Sequence, residues 1–307
     1  MAYRWQVEHP DVSRCEVTQV GLRAPDGYEL AAALYGAPSG NPRRVAVIHG
    51  GAGIAAARYR RFASFLAESG IPTLTYDYRG IGGSRPKSLR GFRAGTEDWS
   101  EYDAGAAIAW LRARFPSAEM IGIAHSIASL IIGGAHNSAE QSRLVLIGGH
   151  TGYFRDYHPR YRVLMAALWH GFMPAATLLA GYFPARRFGL GEDLPARMAL
   201  QWAGRRTPDL RPAGSTPGFD RVQAMLDRCA SLQRPALLVT IGDDAFATSA
   251  GIKRLLQYYP RLFPLQYIEF TPADAGLRSI GHFGFFGRAA GAALWPRLLA
   301  QLDVKPG

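Results

Sequence analysis

The stretch Ile121-Gly122-Ile123-Ala124-His125-Ser126-Ile127-Ala128-Ser129 decides how this chain folds. An apolar strand runs straight into a turn of small residues and then into a helix. That arrangement holds a serine hydroxyl at the tip of a sharp bend. Ala124 and Ala128 stand two residues before and two after Ser126, where the backbone must pass close to its neighbours and where such bends usually carry glycine.

A serine hydroxyl is a poor nucleophile near neutral pH. It needs an imidazole to take its proton and a carboxylate to fix the imidazole tautomer. Both residue types follow downstream. Pro235-Ala236-Leu237-Leu238-Val239-Thr240 reads as a buried strand running into Gly242-Asp243-Asp244, and Ser279-Ile280-Gly281-His282-Phe283-Gly284 sets a histidine on a glycine-flanked loop. The order along the chain is Ser, Asp, His, unlike the orders of the chymotrypsin-like and subtilisin-like proteases. Ser126, His282 and one of Asp243 or Asp244 are therefore the expected triad.

Attack on a carbonyl creates an oxyanion, which needs backbone donors already in place. Ile127, just after the nucleophile, offers one N–H. The loop His49-Gly50-Gly51-Ala52-Gly53 offers the other, with Gly51 as first choice and Ala52 as second. This loop lacks the Lys and Ser/Thr of a phosphate-binding loop.

With these residues in view the chain resembles the α/β-hydrolase superfamily, and over nearly its whole length it is similar to a bacterial branch of its serine hydrolases. The closer likeness rests on Tyr59-Arg60-Arg61-Phe62, Tyr76-Asp77-Tyr78-Arg79-Gly80-Ile81-Gly82, Gly191-Glu192-Asp193-Leu194-Pro195 and Ile280-Gly281-His282-Phe283-Gly284-Phe285-Phe286. The resemblance implies that Asp244 is the acid, because members carry it a few residues after the strand, before the lead into a helix. Asp243 is then a loop or helix-capping carboxylate. It also implies that the Asp77-Tyr78-Arg79-Gly80 loop packs rather than reacts.

The rest of the chain fits that architecture. Alternating residues in Cys15–Val20 and Tyr28–Tyr35 flank Pro25-Asp26-Gly27 as an antiparallel hairpin. Val45–Ile48, Thr73–Tyr76, Met120–Ile123 and Leu144–Ile147 are short continuous apolar runs, as buried parallel strands require. The expected fold is α/β, a mostly parallel doubly wound sheet with an antiparallel start. Residues 1–149 and 232–307 form its core, and 150–231 form a helical cap inserted between two strands. Within the cap, Val163 to Phe183 is almost wholly apolar, but His170, Gly171 and Pro174 interrupt it. Two helices broken near Pro174 and lying over the site are expected there, rather than a membrane span. Peripheral docking onto a membrane is the lesser alternative.

Composition bounds the partners. Of 307 residues, 48% are hydrophobic and 19% charged, which suits a folded enzyme and argues against long disordered tracts. The net charge of +11 is spread along every segment, so a nucleic-acid patch is not expected. Arg58, Arg60 and Arg61 are read as the solvated face of a helix that buries Phe62, Phe65 and Leu66. Cys15 and Cys229 have no paired spacing and are expected as free thiols in a reducing compartment. With no apolar signal core in residues 1–6, cytoplasmic residence is the expectation.

The expected function is that of a serine hydrolase, carboxylesterase or lipase-like, cleaving the ester, thioester or amide of a lipophilic small molecule through an acyl-enzyme, without metal or organic cofactor. His49, Tyr153, Phe154, Trp169 and Phe172 are the candidate pocket residues, with His49 also orienting its loop. His125, His150, His158 and His170 are read as structural. The alternative is a binding or scaffold protein on the same fold with weakened catalysis, motivated by the alanines at 124 and 128.

Overall fold

The computed structural model describes residues 15–36, 40–210 and 219–303. Residues 1–6, on which the reading of residence rests, lie outside them. Eight strands form the main sheet: β1 (Val17–Arg23), β2 (Glu29–Tyr35), β3 (Arg44–His49), β4 (Thr73–Tyr76), β5 (Glu119–His125), β6 (Arg143–Ile147), β9 (Ala236–Ile241) and β10 (Leu265–Phe270). The two-residue strands β7 (Tyr182–Phe183) and β8 (Leu194–Pro195) pair separately, in the segment between β6 and β9. The main order is β1-β2-β4-β3-β5-β6-β9-β10. Only β1–β2 and β2–β4 are antiparallel.

The apolar runs are continuous because both faces of the central strands are covered. Val45 and Val47 of β3 and Leu144 and Leu146 of β6 face one buried cluster. Ala46, Ile48, Val145 and Ile147 face the other. Helices Gly105–Arg114, Ala128–Gly134 and Phe219–Ser231 supply the first layer through Ile108, Ile131, Met225 and Cys229. Arg60–Glu68 and Arg288–Asp303 supply the second through Phe62, Leu66, Leu294 and Trp295. Helix Phe219–Ser231 thus packs with the sheet, although it lies in sequence within the 150–231 insertion. Arg58, Arg60 and Arg61 are exposed, as the helical pattern predicts.

Cap residues 159–180 form one helical path rather than two broken helices. A wide π turn at Leu168–Phe172 precedes Pro174. Proline has no N–H to give the carbonyl four residues back. That carbonyl, of His170, instead accepts from Arg206 Nη2 at 3.3 Å.

One glycine of β5 is dictated by a close approach. A Cβ at Gly122 would stand 1.9 Å from Gln141 Oε1 and 2.7 Å from Ile132 Cδ1. Gly122→Ala is expected to cost about 1–3 kcal/mol, read as a lower urea midpoint at unchanged slope.

Candidate active site

The parallel strands end along one edge of the sheet, and the loops leaving β3, β5, β6 and β9 meet there with the loop after β10. In open α/β sheets such an edge is where ligands bind. Ser126, directly after β5, has φ +61°, the only positive φ at a non-glycine position among the described residues. A left-handed serine costs of order 1–3 kcal/mol and persists only where its surroundings enforce it. Here the Ser126 N–H is held by the Ile147 carbonyl at 3.0 Å, and the Ser126 carbonyl accepts from Ser129 N–H as the helix begins. Gly51 of the neighbouring loop passes so close that a Cβ there would stand 3.3 Å from Ser126 Cβ. Ala124 and Ala128 are both fully buried, so their methyl groups are absorbed by the packing.

Three groups expected from the chain order lie together. Ser126 Oγ is 2.9 Å from His282 Nε2, and His282 Nδ1 is 2.7 Å from Asp244 Oδ2. The carboxylate accepts the Nδ1–H, which leaves Nε2 free to accept from the serine hydroxyl. The other Asp244 oxygen accepts from Phe246 N–H at 2.8 Å and Ala247 N–H at 3.0 Å. Burial alone would raise the Asp244 pKa, but the His282 hydrogen bond and charge, with those two N–H groups, hold it below the ordinary carboxylate value. Asp243 has a separate task. Its two oxygens accept from Ile280 N–H and Gly281 N–H, both at 2.9 Å, and so anchor the loop that presents His282.

Three further histidines surround this group. His49 is fully buried, with Nε2 3.2 Å from Gln141 Oε1 and Nδ1 2.8 Å from Tyr76 Oη. It ties β3 to β4, and both ring nitrogens are engaged in that task. His125 turns away from the hydroxyl, as expected of a turn neighbour. Its Nε2–H donates to the His282 carbonyl at 3.0 Å, and its Nδ1 accepts from Tyr59 Oη–H at 2.9 Å. His150 is the one that sequence reasoning missed. Its Nε2 lies 3.0 Å from Ser126 Oγ, and its Nδ1 accepts from Gly152 N–H at 2.9 Å. The available signal was Gly148-Gly149-His150-Thr151-Gly152, a glycine-flanked loop directly after a buried strand. At Gly148 (φ +56°) a Cβ would stand 3.1 Å from Asp244 Oδ2.

In the loop after β3, the amide of the first-choice residue is already engaged. Gly51 N–H donates to Tyr59 Oη at 2.8 Å and is thus occupied. The N–H groups of Ala52 and Ile127 have no acceptor among the described residues. Of the candidate pocket residues, Phe172 is 38% exposed and packs on Phe188 and Phe183, on the outer face of the cap. Tyr153 lies under the Arg254 guanidinium, Phe154 on His170, and Trp169 on Trp202. The rings that meet the imidazoles are others: Phe246 and Phe283 at His282, Tyr157 and Trp202 at His150.

Burial keeps three of these imidazoles neutral. It lowers His49 to about 4. Burial, with the charge of His282, lowers His150 to about 3 and His125 well below its ordinary value. In the unfolded chain each titrates near 6.5. The unfolded state therefore binds more protons below that pH. The stability they contribute is present above about 6.5 and is lost as pH falls toward 3, at about 2 kcal/mol for each of His49 and His150 by pH 5. Asp103, which burial raises to about 7, opposes them in the same window; with three imidazoles against one carboxyl, the urea midpoint is expected to be lower at pH 5 than at pH 7.

Comparison with known proteins agrees with this architecture. An esterase of Pyrococcus furiosus superposes with a TM-score of 0.61 at 16% identity, covering 95% of this chain and 92% of that one. Hypothetical protein PA2218 of Pseudomonas aeruginosa gives 0.59 at 16%, covering 99% and 98%. A monoacylglycerol lipase of Paleococcus ferrophilus gives 0.53 at 15%, covering 89% and 97%. At such identities the likeness establishes the α/β-hydrolase fold alone. No curated protein matches the chain. The profile of one family, described as Hydrolase_4, serine aminopeptidase, S33, matches residues 40–262. With that match spanning well over half of its length, the chain belongs to the Hydrolase_4 family of α/β-hydrolases.

Proposed function

We propose that the chain is a serine hydrolase that cleaves a carboxylic ester of a lipophilic small molecule through an acyl-enzyme, with thioester and amide as chemically related substrates. The observation that carries this reading is the unbroken hydrogen-bonded line Asp244, His282, Ser126. In acylation the Ser126 proton passes to His282 Nε2 as Oγ attacks the carbonyl carbon. The free N–H groups of Ile127 and Ala52 are the proposed donors to the oxyanion. His282 then gives that proton to the departing alcohol, and a water repeats the sequence to release the acid. Aromatic walls at Phe246, Phe283, Tyr157 and Trp202 favour an apolar substrate. The names of the structural neighbours, esterases and a monoacylglycerol lipase, point the same way. A scaffold protein with idle chemistry is disfavoured, because such a protein would have no reason to maintain the strain at Ser126. The unpaired Cys15 and Cys229 fit a cytoplasmic setting, which is part of the proposal.

A fluorophosphonate probe is expected to label the wild type and not Ser126→Ala; an unlabelled, folded wild type would remove the proposal. Asp244→Asn should lower ester turnover by about 10⁴-fold through the wrong tautomer. Asp243→Asn should lower it far less, and chiefly lower thermal stability. The reverse ranking reassigns the acid.

The outer face of the cap supports docking at an anionic membrane surface. Residues 163, 164, 167, 171, 172, 175, 178 and 179 are exposed at helical spacing, all are apolar or glycine, and Leu178 and Leu179 are 74% and 86% exposed. Between Asp156 and Glu192 the chain has no acidic residue but carries Arg160, Arg162, Arg186 and Arg187. The helix is read as lying on the bilayer rather than crossing it. Met165, Met173 and Thr177 are buried on its inner face, and His158 N–H is held by the Ala245 carbonyl. Cosedimentation with vesicles containing anionic lipid is expected, and its loss in Leu178→Glu/Leu179→Glu. Retention by that variant, or a concentration-dependent dimer with no vesicle binding, would overturn the docking surface.

A further inference from the structure

Ser126 Oγ is contacted by two imidazoles, and their tautomers are fixed from behind. Asp244 takes the Nδ1–H of His282, so His282 Nε2 is an acceptor. Gly152 N–H donates to His150 Nδ1, so the proton of the neutral His150 ring sits on Nε2, which points at Ser126 Oγ from 3.0 Å. The oxygen thus donates its one hydrogen to His282 and accepts one from His150. A single lone pair remains, and the attack direction is defined by elimination.

His150 is built to stay in this state. The ring is 3% exposed and lies edge-on to Tyr157 and Trp202. Its loop is held by the buried Arg205, whose Nη1 donates to the Thr151 carbonyl at 2.8 Å and whose guanidinium stacks on Trp202. A Cβ at Gly152 (φ +81°) would stand 2.8 Å from that Nη1, so the backbone at this point is reserved for glycine. A neutral ring flanked by the Arg205 cation and by the ring of His282, 5.4 Å away between centroids, donates and does not take a proton.

We propose that His150 is a second catalytic imidazole, a fixed Nε2–H donor to the Ser126 oxygen that acts when that oxygen becomes the leaving group. The inference rests on the serine-hydrolase reading and adds a residue to it. In deacylation, water attacks the acyl carbon and gives its proton to His282 Nε2. The tetrahedral intermediate collapses by breaking the bond from carbon to Ser126 Oγ. The bonding pair moves onto Oγ, which recovers the proton from His282, and the carboxylic acid departs. Negative charge gathers on Oγ during that cleavage, where the His150 N–H is already aimed. In acylation the same N–H engages a lone pair of the attacking oxygen, so its help in positioning is offset by weaker nucleophilicity. The donor therefore favours deacylation over acylation.

The test separates the two half-reactions with a nitrophenyl ester in stopped flow. In His150→Phe, the steady-state rate is expected to fall by about 10²-fold, the initial burst by less than about tenfold, and acyl-enzyme should accumulate to nearly one equivalent by mass. In His150→Gln, whose amide Nε2–H reaches the same place, deacylation should recover at least in part. Equal loss in both phases, no loss in either, or a Gln variant that matches Phe would overturn the proposal. If the Phe variant fails to fold by circular dichroism, the Gln variant decides alone, since a donor that matters must keep its burst-to-steady-state ratio within about tenfold of wild type. Fluorophosphonate labelling of the wild type distinguishes the two levels of failure. Without labelling the hydrolase reading itself falls, and with labelling only the role of His150 is at stake.

Discussion

The site depends on one buried line of hydrogen bonds that none of the reacting atoms belong to. Gly51 N–H donates to Tyr59 Oη, Tyr59 donates to His125 Nδ1, and His125 Nε2–H donates to the carbonyl of His282. Three loops, leaving β3, β5 and β10, are joined by two side chains that are each 1% exposed. Such a line stays intact only if every member is satisfied, because a polar group stranded at that depth costs about twice what its hydrogen bond returns. Phe286 packs edge-on against both Tyr59 and His125, which fixes the two rings laterally. Ser126 is therefore held in its left-handed conformation by neighbours that are themselves hydrogen-bonded and packed.

What the amino-acid order reveals follows from which constraints are local. Continuous apolar runs such as Leu144–Ile147 announce strands covered on both faces, and the succession of Ser126, Asp244 and His282 follows from strand order alone. Strand β10 gives a weaker signal because it sits at the sheet edge, where Tyr267 is 61% exposed and Glu269 also faces solvent. The choice between Gly51 and Ala52 is not local at all. It turns on a hydroxyl eight residues away that occupies one amide and leaves the other open. His49 closes β3 and His150 follows β6, yet one ends facing Gln141 and the other facing Ser126. Nothing in the bare spacing distinguishes them.

The segment Val163 to Phe183 shows the same limit in reverse. It is apolar almost throughout, so Phe172 looks like a pocket residue as readily as a surface one. A π turn advances the helical phase before Pro174, and which apolar residues face inward changes with it. Met165, Met173 and Thr177 end up covered, while Val163, Leu178 and Leu179 end up uncovered.

The cap is also stitched to the glycine-rich loop at a single peptide. Glu192 N–H donates to the Gly53 carbonyl at 2.8 Å, and a Cβ on Gly191 would stand 2.6 Å from that same oxygen. Gly53 follows Ala52 directly, so the contact that seats residues 191–192 also holds the peptide next to the Ala52 amide. The peptide beside the open amide thus takes its position from a segment some 140 residues further along the chain.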